Sequence, residues 1–97
     1  MTRLLPRPPD IATLPFRLKF RQLVLLDALG DTQSLRKAAA RTHLTQPAAT
    51  RAMAELESAF GVRLFERSHA GMTATVYGSA LIQHARRVLY DVQQAHA

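Results

Sequence analysis

The chain contains no cysteine, which excludes disulfides and thiolate metal sites. Acidic residues are scarce: seven Asp and Glu stand against thirteen Lys and Arg, a formal net charge of +6. That imbalance points to a polyanionic partner, nucleic acid before an acidic membrane. No apolar run approaches the roughly 18 residues of a membrane span, so no membrane partner is expected. The opening MTRLLPRPPD lacks the apolar centre of a signal peptide. A cytoplasmic protein is the expectation. There is no glycine-rich phosphate loop, and no serine or carboxylate is set for nucleophilic work. His43, His69, His84 and His96 are scattered without metal-ligand spacing. Neither an enzyme nor a bound metal or cofactor is expected.

Proline is nearly missing from the body of the chain. Four of five, Pro6, Pro8, Pro9 and Pro15, fall in the first fifteen residues. Residues 1–16 therefore read as an extended or disordered arm carrying Arg3 and Arg7. Two readings of that arm stay open: a solvated tail, or a basic arm touching DNA backbone or minor groove.

The remainder is one small domain. Its 47% hydrophobic fraction can fill a core. A chain this short buries only about 60% of its unfolded surface, so help from a partner chain is expected.

The stretch Thr45–Phe60, TQPAATRAMAELESAF, organises the rest. Thr45 is a good N-cap, and Pro47 sits in the first turn where a missing N–H costs nothing. Ala49, Ala52, Met53, Leu56 and Phe60 recur on one helical face. The other face carries Pro47, Arg51, Ala54 and Ser58, with Gln46 and Thr50 near the start. Such a surface of small residues, amides and one arginine can enter a groove.

Upstream, the spacing predicts a helix over 18–29, with apolar stripes Leu18, Leu25, Leu26, Leu29 and Phe20, Leu23, Val24. Gly30 offers it a C-cap, and residues 30–34 read as a turn. Ser34 caps a short helix, Leu35 to Arg41, with Leu35, Ala38, Ala39 and Thr42 inside and Arg36, Lys37 and Arg41 outside. His43–Leu44 then turns the chain into the helix begun by Thr45. Downstream, Gly61 ends that helix. Val62, Leu64 and Phe65, a polar turn over 66–71 and a return strand over 72–74 fit a hairpin. Thr75 caps a last helix, Val76 to about Ala95, whose stripe is Leu81, Ile82, Ala85, Val88, Leu89 and Val92. That stripe outruns the small core and calls for another helix.

Several pieces in order carry a resemblance. They are FRQL at 20–23, SLRKAAARTHLTQPAATRAMAELE at 34–57, GVRLFERS at 61–68 and TVYGSALIQHARRVL at 75–89. Together they closely resemble the N-terminal DNA-binding domain of LysR-type transcriptional regulators. The resemblance implies a mostly α fold: a winged helix-turn-helix over 17–75, with three helices and a short β-hairpin wing, then a long linker helix over 76–97. It implies that helix 45–60 enters the major groove of double-stranded DNA, with Gln46, Pro47, Thr50 and Arg51 at bases. Ser34, Arg36, Thr45, Arg67, Ser68 and His69 would meet the backbone. Leu81, Ile82, Ala85, Val88, Leu89 and Val92 would join two copies into a homodimer on a pseudo-palindromic site, in a nucleoid-associated bacterial protein. Family members continue into a larger domain that senses a small molecule. This sequence stops before it, so an effector is expected only through that further domain, and the chain reads as either a fragment of a longer regulator or a natural short form, with the fragment favoured.

The physical case stands beside the family name. A glutamine side chain presents a donor and an acceptor together, the pair adenine displays in the major groove. The competing reading is a helical dimerisation or protein-interaction module with only non-specific DNA affinity. It differs in having no use for a small, amide-bearing, basic helix start.

Overall fold

A computed structural model describes residues 18–96; the proline-rich arm lies outside the described residues. The elements run α1 (Phe20–Thr32), α2 (Leu35–Arg41), α3 (Gln46–Phe60), β1 (Phe65–Ser68), β2 (Gly71–Ala74) and α4 (Val76–His96). The fold is a winged helix-turn-helix with a long final helix.

α1 lies at the centre and touches α2, α3, α4 and β2. Leu25, Leu26 and Leu29 are fully buried, so the stripe containing them faces the core. Burial of each such leucine contributes about 1.5–3 kcal/mol. Leu18 and Phe20 are left exposed, and Leu18 precedes the helix. α2 offers Leu35, Ala38 and Ala39 to that core, α3 offers Ala49, Met53 and Leu56, and α4 offers Ile82 and Ala85. The alanines keep α2 close to its neighbours.

Hydroxyl caps set three helix starts. Ser34 Oγ accepts from the Lys37 N–H at 3.2 Å, Thr45 Oγ1 from Ala48 at 3.1 Å and Thr75 Oγ1 from Gly78 at 3.1 Å. Thr42 donates back to the Ala38 carbonyl at 2.8 Å, which satisfies its hydroxyl on the inner face of α2. Gly61, at φ 70°, closes α3 in the left-handed conformation.

Two sequence boundaries are corrected. α1 does not stop at Leu29 with Gly30 as its cap; it continues to Thr32, and Gln33 takes the left-handed position at φ 53°. The extra turn is held by one local and one tertiary bond. Thr32 donates to the Ala28 carbonyl at 2.8 Å, and the Gln33 carbonyl accepts from Met72 of β2 at 2.9 Å. Likewise, Glu66–Ser68 are strand residues, not turn. β1 and β2 pair antiparallel from Phe65 with Ala74 to Ser68 with Gly71, leaving His69 and Ala70 at the tip. This hairpin hides no alternating pattern because only its base is buried: Phe65 is inside and residues 66–70 are exposed.

The wing is anchored at its base. The Glu57 carboxylate accepts from the N–H groups of Leu64 and Phe65 at 2.7 and 3.3 Å. The Thr75 N–H donates to the Leu64 carbonyl at 3.0 Å, and Thr75 Oγ1 donates to that of Arg63 at 2.7 Å. α4 is tied to α1 by Arg86, which donates to Asp27 and Asp31 at 2.6 Å each; Asp31 also holds Arg41 at 3.0 Å. The hydrogen bond that Arg86 donates to Asp27 is the main reason its pKa lies above the ordinary value, with burial opposing it. A cation with a raised pKa loses its contribution only as pH climbs through that pKa. This tie therefore persists across the neutral range.

Gly78 brings α4 tightly against the segment leading into β1. A Cβ there would run into the Leu64 backbone carbonyl, whereas a Cβ at Gly30 would meet only side-chain atoms of Arg86 and Ile82, at 3.1 and 3.2 Å. Gly78→Ala is expected to cost ~3 kcal/mol, lowering Tm by roughly 15 °C. Gly30→Ala should stay within about 1 kcal/mol of the parent, since the gain in helix propensity offsets a small repacking. Glu57→Ala strands two buried donors and should cost about 2 kcal/mol. Thermal and urea unfolding followed by circular dichroism checks all three.

Candidate nucleic-acid interface

α3 has one face in the core and one in solvent. Gln46, Pro47, Thr50, Arg51, Ala54 and Ser58 are all exposed, opposite Ala49, Met53 and Leu56. The turn before it is tight: the His43 N–H reaches the Ala40 carbonyl at 3.2 Å, and the Leu44 N–H reaches that of Ala39 at 2.8 Å. His43 takes φ 59°, and Leu44 tucks partly under the turn against the core. With Pro47 lacking an N–H and Ala48 capped by Thr45, the first turn is nearly satisfied. The side chains of Gln46 and Thr50 stand clear of it.

The wing reaches the same region. Arg67 lies two residues from Phe65 and so shares its strand face. Thr50 of α3 and Arg67 of β1 line one depression together with Leu35, Met53, Arg63 and Met72. Leu35 lies between Ser34 and Arg36 in the chain. Two α3 neighbours thus fall in different places: Thr50 faces the wing, while Arg51 lines a second depression with Lys19, Arg21 and Glu55.

The basic residues divide by what they touch. Arg41 is committed to Asp31, whereas Arg36, Lys37, Arg51 and Arg67 carry no ion pair among the described residues. Ser68 accepts from the Ala70 N–H at 3.2 Å, which shapes the turn, while His69 is exposed at the tip. Arg51 is not paired with Glu55 at i+4; Glu55 accepts from Gln22. Gln22, a buried polar residue, carried no sequence signal beyond an amide within an apolar stretch. Among the described residues, no group of three or more His, Cys, Asp or Glu is placed to hold a metal. No described helix is long and apolar enough to cross a membrane.

The stripe of α4 splits in two. Ile82 and Ala85 belong to the domain's own core and are unavailable to a second chain. Leu81 and Leu89 are half-buried, while Val88 and Val92 are exposed, as is Tyr90. Leu89, Tyr90 and Val92 line a depression shared with Phe20 and Val24 of α1.

This architecture matches known proteins along most of its length. The family model for bacterial regulatory helix-turn-helix proteins of the lysR family matches residues 20–79. The transcriptional regulator GbpR of Azospirillum brasilense is 43% identical over 82 residues, 84% of this chain and 24% of that protein. The crystal structure of the CbnR_DBD–DNA complex superposes with a TM-score of 0.75 at 39% identity, covering 81% of this chain and 91% of that one. That of the BenM_DBD/catB site 1 DNA complex gives 0.76 at 31% identity, covering 80% and 88%. The chain spans about a quarter of the length of the curated relatives it matches. It belongs to the lysR family of bacterial regulatory helix-turn-helix proteins.

Proposed function

We propose that this chain binds double-stranded DNA sequence-specifically as the DNA-binding part of a transcriptional regulator, with no catalytic role. The observation that carries the reading is the bare face of α3. A capped helix start presents Gln46, Pro47, Thr50 and Arg51, all exposed, beside a basic wing. α3 enters the major groove, where Gln46 reads a base edge and Arg51 meets a base or a phosphate. Ser34, Arg36, Thr45, Arg67, Ser68 and His69 meet the backbone and fix the register. The two solved relatives named above are DNA complexes, which supports the same docking.

The protein acts as a homodimer through α4. Leu81, Val88, Leu89 and Val92 form the joining surface, with Ile82 and Ala85 stiffening it from behind. Two copies of α3 then read half-sites one helical turn apart, a pseudo-palindrome. The setting is the bacterial cytoplasm, at the nucleoid. Any small-molecule effector would act through the remaining length seen in the relatives.

Two outcomes follow. Selection from a random DNA pool, with sequencing, should recover an inverted repeat. Gln46→Ala should relax discrimination at one position per half-site by about 1–3 kcal/mol and leave salt-dependent affinity unchanged. Retention with no enriched motif would reduce the protein to a basic DNA coater. Val88→Asp with Val92→Asp should raise the dimer dissociation constant roughly a hundredfold, by removing about 3 kcal/mol of apolar burial. Sedimentation equilibrium measures this directly; an unchanged dimer would remove α4 from the interface.

A further inference from the structure

Gln22 is a buried polar side chain, 1% exposed, in a core otherwise built of leucine, alanine, methionine, isoleucine and phenylalanine. A hydrophobic residue of its size would fill the same space at lower desolvation cost. Its amide is fixed from both ends. The Lys19 N–H can only donate, so the Gln22 oxygen must face it, at 3.0 Å. The amide nitrogen is thereby turned to Glu55 of α3, where it donates at 3.2 Å.

Glu55 lies one helical turn beyond Arg51. Residues at i and i+4 are neighbours on a helix surface, and an arginine and a glutamate there attract one another. Both line the depression that also holds Lys19 and Arg21. Yet neither Arg51 nor Glu55 is ion-paired among the described residues. One of the two Glu55 carboxylate oxygens, Oε1, accepts from a neutral donor of α1.

We propose that Gln22 is a positioning residue that holds Glu55 away from Arg51 and so leaves the Arg51 guanidinium available to DNA. The proposal rests on the DNA-binding role assigned to Arg51 above. A carboxylate released from Gln22 swings to the adjacent arginine, neutralises it and places a fixed anion where a phosphate would approach. Gln22 thus acts on DNA affinity from inside the core, without touching DNA.

The test is a set of double-mutant cycles on the 97-residue chain. Binding to a fluorescein-labelled random-sequence DNA duplex is followed by anisotropy across a salt series, with thermal unfolding of each variant. Gln22→Met should weaken binding about fivefold and reduce the log–log salt slope by about one unit, the signature of one lost phosphate contact. The loss should vanish in both the Glu55→Ala and the Arg51→Ala backgrounds, because either removes the pair that forms. Should the methionine variant fail to fold, Gln22→Glu serves in the same cycles. It keeps the acceptor for Lys19, loses the donor to Glu55 and repels it. Without DNA, the Arg51 Nε–H resonance should shift in Gln22→Met and return in Gln22→Met/Glu55→Ala. An unmoved resonance, or a binding loss that persists in both backgrounds, overturns the proposal. Arg51→Ala binding as tightly as the parent would instead overturn the DNA role of Arg51, with the resonance shift still reporting on Gln22.

Discussion

The domain depends on one helix being apolar on enough sides to receive three others. Leu25, Leu26 and Leu29 leave α1 without solvent on their side, and α2, α3 and α4 all rest on it. Small residues at the contacts let so many elements approach one helix. Ala38 and Ala39 bring α2 in, Gly30 admits the Ile82 side chain of α4, and Gly78 lets α4 cross the Leu64 backbone. The polar ties then fix orientation. Arg86 forks across Asp27 and Asp31, and Glu57 holds the base of the wing. The result is a frame in which Thr50 and Ala54 of α3 and Arg67 of β1 open onto one depression.

Function follows from what α3 omits. Its inward residues supply burial, while Pro47, Thr50, Ala54 and Ser58 on its outward side leave room around Gln46 and Arg51. Affinity and specificity are carried by different groups. On the proposed reading, unpaired arginines attract the phosphate backbone without regard to sequence, and an amide at the helix start distinguishes base edges. Asp31 takes Arg41 out of the count of free cations, and on the proposal above Gln22 keeps Arg51 in it by holding Glu55, four residues further along α3.

Much of this was legible because it is local. Ser34, Thr45, Thr75 and Gly61 mark helix ends by chemistry that acts over a few residues, and α2 and α3 fall where those marks put them. The buried face of α3 followed from its spacing. What escaped was set by partners distant in sequence. α1 outruns Gly30 because Gln33 takes the left-handed position and its carbonyl receives Met72 from the wing. The Arg86 ties to Asp27 and Asp31 span more than fifty residues, and the Gln22 bond to Glu55 spans thirty-three. The strand character of Glu66–Ser68 was hidden because a hairpin standing clear of the core needs no apolar alternation. The α4 stripe is visible in the sequence as a period but not as two surfaces. Only the packing separates Ile82 and Ala85, spent inside the domain, from Val88 and Val92, left outside.

The central claim is that the start of α3 lies in the major groove of DNA. Methylation interference on DNA retained by the protein tests it most directly, because methyl groups on guanine N7 block the major groove and those on adenine N3 the minor groove. The account predicts two blocks of N7 interference about 10 base pairs apart, one for each half-site. Interference confined to adenine N3, or none at either position, would contradict it.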